Sequence, residues 1–160
     1  MIRAVVLLIL AAGCARTGND RRDSVASTTR ARVVYAPVRR AITITTVPLL
    51  VKEQQTVLPF LKEDFAKDGV LDGKEVYGFS PSTITVVEGD TIDFTFFNPE
   101  DDDHSFVLPD LAVPLPPQRK TTATYVTKRA GILPFVCSIP KHSPMMHGQL
   151  VVLARTAVSE

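Results

Sequence analysis

From residue 75 onward the chain alternates between apolar and polar positions in short runs. Residues 91–97 read Thr-Ile-Asp-Phe-Thr-Phe-Phe, with Ile92, Phe94 and Phe96 on one side. That is the pattern of a strand with one face in a core. Residues 76–79, 82–87, 105–108, 121–126, 132–137 and 149–153 predict further strands by the same reasoning. Gly89, Asn98-Pro99 and Gly131 supply the breaks, and residues 109–117 carry enough proline to be loop or sheet edge. Short strands at regular spacing with Gly and Pro turns predict an all-β fold, a Greek-key sandwich or barrel. Upstream, the β-branched residues 41–51 predict a strand. Residues 56–67 predict a short helix: Leu58, Leu61 and Phe65 recur at helical spacing, Thr56 stands at the cap and Asp68-Gly69 at the stop.

Charge divides the chain. The total is +1, which argues against a nucleic-acid partner. Residues 15–40 hold seven Arg against two Asp, whereas residues 41–160 hold ten Lys/Arg against fifteen Asp/Glu. The basic stretch is poor in apolar periodicity and predicts a flexible tether, disordered in isolation. Its arginines also suit anionic lipid head groups. Before it, the chain opens Met-Ile-Arg, runs apolar through residues 4–12 and reaches Gly13-Cys14. A positive start and a short apolar run before small residues describe an export signal, too short to span a bilayer. Leu10-Ala-Ala-Gly-Cys14 resembles the box of bacterial lipoproteins, in which the cysteine is lipidated. Ordinary secretion with cleavage near the same point is the alternative. Both readings predict a mature protein outside the cytoplasm, touching a membrane only through an anchor at Cys14. The resulting division is leader 1–14, tether 15–40, extension with a short helix 41–74 and β domain 75–155.

Candidate chemistry sits at the far end. Three histidines occur, His104, His142 and His147, with two methionines beyond the initiator, Met145 and Met146. Cys137 is the thiol of the folded part. All but His104 fall between residues 137 and 147, in a loop between two predicted strands. Singly, each of these residues is ordinary: a buried small thiol, a surface imidazole, a core thioether. Together, one thiolate, two imidazoles and a weak thioether suit copper that cycles between two oxidation states. Structural zinc gains nothing from a methionine. A Cys137–His142 nucleophile pair is conceivable, but the loop offers no clear oxyanion hole.

The pattern Cys137-x4-His142-x3-Met146-x-Gly148, with His104 upstream after Asn98-Pro99, resembles the cupredoxins, small blue-copper proteins related to plastocyanin. The resemblance covers residues 75–154. It implies one type 1 copper ion held by His104, Cys137 and His142, with Met146 as axial ligand. Met146 takes that place on the Met-x-Gly register, while the His-to-Met spacing is one residue shorter than the commoner form; Met145 is the alternative. The resemblance also implies a bond from the Ser105 backbone N–H to the Cys137 sulfur, shielding of the site by Phe106 and Phe135, and an electron path through the edge of His142. Pro140, Pro144, Met145 and residues 111–117 would surround that edge as a docking patch. The acidic run 100–103 would steer a basic partner such as a cytochrome, an oxidase or a reductase. The function so implied is single-electron transfer rather than catalysis. Copper storage or delivery, and a structural domain that has kept the fold, stand as alternatives.

Overall fold

The protein is described by a computed structural model covering residues 35–142 and 145–155. Two sheets face each other. One has the order β2-β1-β4-β7, and the other β3-β9-β8-β5-β6. The strands are β1 (Arg39–Leu50), β2 (Val76–Ser80), β3 (Thr83–Val87), β4 (Thr91–Asn98), β5 (His104–Leu108), β6 (Leu111–Leu115), β7 (Arg119–Val126), β8 (Gly131–Val136) and β9 (His147–Leu153). Most neighbours are antiparallel. The pairs β1–β4 and β3–β9 are parallel, so the chain crosses between the sheets to form them. The chain therefore forms the all-β sandwich that the alternation predicts.

The core lies between the sheets and follows the period-2 rule. Ile92, Phe94 and Phe96 of β4 point inward and meet Phe106 of β5 and Phe135 of β8. Ring centroids of Phe96–Phe106 and Phe106–Phe135 are both 4.8 Å apart. Such aromatic contacts add roughly 1 kcal/mol each to the burial term. On β5 the residues sharing the inward face with Phe106 are His104 and Leu108. The core pattern of that strand thus carries an imidazole to one end of the sandwich.

Two expectations change here. The helix expected over residues 56–67 is broken into a 3-10 turn, Lys52–Thr56, and a single α-helical turn α1, Leu61–Asp64. Pro59 lies between them and cannot donate to a helical hydrogen bond. The Thr56 hydroxyl donates back to the Glu53 carbonyl instead of capping. Of the three spaced apolar residues, Leu61 and Phe65 are buried and Leu58 is partly exposed.

The tether expected to run through residue 40 also ends earlier, because Arg39 and Arg40 already belong to β1. Arg40 pairs with the fully buried Asp90, and Arg39 pairs with Asp93. Asp90 also accepts from the Tyr35 hydroxyl at 2.6 Å and from the backbone N–H groups of Val38 and Val87. A buried carboxylate needs such a set of donors to remain charged. Residues 109–117 contain β6, an edge strand paired only with β5, which fits their proline content. The expected leader, Cys14 and the expected tether up to residue 34 lie outside the described residues.

Candidate metal centre

Three segments meet at the end of the sandwich where β5 begins. His104 is the first residue of β5, set inward by its register with Phe106 and Leu108. Cys137 follows β8 and shares the inward face with Phe135, two residues earlier. The loop after Cys137 is wound back on itself by three backbone bonds. The His142 N–H donates to the Ile139 carbonyl at 3.0 Å, and the Met146 N–H to the His142 carbonyl at 3.1 Å. The Cys137 N–H donates to the Met146 carbonyl at 2.9 Å. These bonds bring Cys137, His142 and Met146 to one place.

One donor atom each from His104, Cys137 and His142 lie within 4.8 Å of one another. All three residues are buried, and so is Met146. Cys137 Sγ is 3.9 Å from His142 Nδ1. Among the described residues, both ring nitrogens of His104, and Nε2 of His142, have no hydrogen-bond partner. An unpartnered buried polar atom costs about 1–3 kcal/mol, so His104, with neither ring nitrogen partnered, calls for a ligand. Burial, reinforced by His142, holds His104 down at about 4. Burial and then Lys141 also lower His142. Both rings are therefore neutral at pH 7, the form that offers a lone pair to a metal. Two neutral imidazoles and a thiol, converging in one buried place, fit a soft-to-borderline metal ion.

Met145 and Met146 part company. Met146 is fully buried, while Met145 is 57% exposed. Met145 lines a cavity with Val70, Leu71, Lys74, Glu75, Val76 and Lys141. His147, next on β9, points outward. The register of β9 places Gly148 opposite Phe135. A Cβ there would fall on the Phe135 ring and the Ser82 carbonyl, so the Met-x-Gly motif has a packing cause.

Two implied details differ. Among the described residues, the group reaching the Cys137 sulfur from Ser105 is the side-chain hydroxyl, at 3.8 Å, not the backbone N–H. That hydroxyl also accepts from the Ser138 N–H at 2.8 Å. The edge of His142 is also closed to solvent. Tyr77 of β2 lies across both imidazoles, with centroids 4.6 Å from His104 and 4.7 Å from His142. Tyr77 is itself buried. Its hydroxyl donates to Asp102 Oδ2 at 2.7 Å, and the Lys141 ammonium grips the other oxygen of Asp102.

Sequence reasoning missed Tyr77 and the roles of Asn98, Asp102 and Lys141. Asn98 appeared only as a strand break, yet it is buried and ties down the loop before His104. Its side-chain amide donates to the Asp102, Leu115 and Pro116 carbonyls, and its Oδ1 accepts from Thr46 at 2.9 Å. The signal available was a polar residue on the inward face of β4, continuing the Ile92, Phe94, Phe96 series.

Comparison with known proteins bears on the fold. The model of the cupredoxin-like domain family matches residues 4–152, so the chain belongs to that family. Among solved structures it resembles the blue copper oxidase of Nitrosomonas europaea, at 17% identity and a TM-score of 0.53, covering 75% of this chain and 40% of the oxidase. It resembles the copper-containing nitrite reductase of Thermus scotoductus at 14% identity and a TM-score of 0.52, covering 76% of this chain and 29% of the reductase. The blue copper protein auracyanin A of Chloroflexus aurantiacus matches over 71% of this chain and 98% of its own, with 16% identity and a TM-score of 0.47. The chain thus spans less than half of either enzyme, and the likeness is one of fold. No curated protein sequence matches it. The cupredoxin fold implies copper, and His104, Cys137 and His142 can bind a metal.

Proposed function

We propose that this chain is a one-copper protein that carries single electrons outside the cytoplasm. The observation that carries the reading is the convergence of three buried donors, with both ring nitrogens of His104 unpartnered among the described residues. Held by these residues, copper would supply a one-electron redox change between its two common oxidation states.

The protein's part is to hold and to exclude. His104 and Cys137 stand at the ends of strands anchored in the aromatic core, and His142 sits in a loop closed by backbone bonds. Tyr77 wedges both rings, and Phe106 and Phe135 keep water from behind. A site whose ligands are fixed before the metal arrives changes little when an electron comes or goes, which favours fast transfer. Met146 is the fourth ligand in this reading, supported by its burial and its backbone bonds to Cys137 and His142. The exposed Met145 belongs to the surface that a partner meets, with Val70, Leu71 and Val76 around it. A redox protein such as a cytochrome, an oxidase or a reductase would dock there in a small, transient interface. The acidic loop at residues 100–103 supports steering of a basic partner, although Asp102 is already engaged by Lys141 and Tyr77. The export-like leader and the lipobox-like cysteine support an anchored, extracytoplasmic location. His147 is the one spare histidine, too few for a second copper centre, so catalysis is not assigned to this chain.

Copper delivery is the competing role. Full burial of the donors supports retention instead. Voltammetry of copper-loaded protein, with copper assayed before and after cycling, separates the two. A reversible one-electron wave with copper retained in both states is expected. Release of copper on reduction would assign the chain to delivery.

A further inference from the structure

The two nitrogens of His142 have different surroundings. Nδ1 faces the Cys137 sulfur, and Nε2 is buried with no hydrogen-bond partner among the described residues. When one imidazole nitrogen binds a metal, the other carries the proton, and a nearby carboxylate fixes that tautomer. One ring nitrogen of His142 lies within 4.8 Å of a carboxylate oxygen of Glu75 and one of Asp102.

Of these two carboxylates, Asp102 is the one the structure holds in place. Its Oδ2 accepts from the Tyr77 hydroxyl, its Oδ1 pairs with Lys141, and its backbone carbonyl accepts from Asn98 at 2.8 Å. Glu75 is held more loosely, 3.5 Å from the same hydroxyl and 3.7 Å from Lys141.

We propose that Asp102 is a positioning residue for the metal centre: its carboxylate, near the ring but beyond direct hydrogen-bond distance, holds the proton of His142 on the outer nitrogen by charge and leaves Nδ1 free for the metal. The inference rests on the copper reading for its redox consequence, but not for its structural part. Lys141 and Tyr77 act as the clamp on the carboxylate, and Asn98 as the clamp on the backbone behind it. The proton stays on Nε2 throughout. A carboxylate behind the imidazole makes the ring a stronger donor and favours the more highly charged Cu(II). Loss of such an outer partner typically costs 10- to 100-fold in metal affinity. If that loss falls on Cu(II) alone, the reduction potential rises by about 60–120 mV, at 59 mV per tenfold for one electron.

Two measurements test this on the full chain, in wild type, Asp102→Ala, Asp102→Asn and Glu75→Gln. First, proton–nitrogen NMR of the metal-free protein reports the His142 tautomer. Wild type and Glu75→Gln are expected to hold the proton on Nε2. Asp102→Ala and Asp102→Asn, which both lack the charge, are expected to mix the tautomers. Second, competition with chelators gives Cu(II) and Cu(I) affinities separately. Asp102→Ala is expected to lose 10- to 100-fold for Cu(II) and far less for Cu(I). Equal losses for both ions with an unchanged tautomer would reduce Asp102 to a merely structural role and overturn the proposal. So would the same effects arising from Glu75→Gln and not from Asp102. If wild type binds no copper, the copper reading fails, while the tautomer measurement still decides the positioning role.

Discussion

Two neutral imidazoles in one closed pocket make the metal-free protein sensitive to acid in a defined window. Burial holds His104 at about 4, below the ordinary 6.5, and lowers His142 as well. The unfolded chain therefore binds more protons than the fold as pH falls. The contribution of His104 to stability is complete above pH 6.5, drains away as pH falls towards 4, and has nothing further to lose below that. At pH 4.5 the unfolded histidine is about 99% protonated and the folded one about a quarter. By linkage this corresponds to a loss of about 2.5 kcal/mol from His104 alone. His142 adds to it in the same direction. Asp90 does not confuse the window, because its buried donors hold it well below the usual carboxylate range and its contribution fades only at lower pH. The assay is urea unfolding of metal-free protein at pH 7.5 and 4.5, for wild type and His104→Phe. A side chain of similar size without a titrating group should remove about 2.5 kcal/mol of the wild-type loss. With a urea slope of about 1–3 kcal/mol per molar, that is a midpoint difference of about 1–2 M. Equal losses in the two proteins would show that His104 is not held neutral by the fold.

Further perturbations address the scaffold and the fourth ligand. Gly148→Ala forces a methyl into the Phe135 ring and the Ser82 carbonyl; a thermal midpoint within 2 °C of wild type would contradict the tight approach of β9 to β8. Phe106→Ala empties the middle of the aromatic core and should cost about 3–5 kcal/mol in denaturant unfolding. Asp90→Ala leaves Arg40, Tyr35 and two backbone N–H groups without their shared acceptor. It should cost about 3–5 kcal/mol, with β1 showing the largest gain in hydrogen exchange. Met146→Leu should raise the reduction potential of copper-loaded protein and keep its colour, whereas Met145→Leu should leave both unchanged; the reverse would exchange the axial assignment.

The alternation of β4 and β5 was enough to read the sandwich, because period 2 is a direct consequence of strand geometry. The same rule foretells His104 on the inward face and His147 pointing away. Helical spacing over residues 56–67 misled, since Leu58, Leu61 and Phe65 satisfy the spacing while Pro59 forbids the hydrogen bonds. At the centre, the cluster Cys137, His142 and Met146 was legible because a single loop carries it. What closes the centre was not. Tyr77 comes from β2, sixty residues and more from the loop it covers, and Asp102 from a run of acids read as a surface that steers a partner. Contacts of that range depend on how the sheets stack, which spacing along the chain does not encode. Burial of His142 under Tyr77 follows from the same stacking, in contrast to the solvent-near edge that the resemblance implies.

The most direct test of the account is to add one equivalent of Cu(II) to the purified chain and record the visible spectrum, with Cys137→Ser alongside. Thiolate and two imidazoles in one buried plane predict an intense thiolate-to-copper charge-transfer band, a blue solution, and loss of that band in Cys137→Ser. Copper bound without that band in wild type, or a band that survives in Cys137→Ser, would contradict the assignment of His104, Cys137 and His142 as the copper ligands.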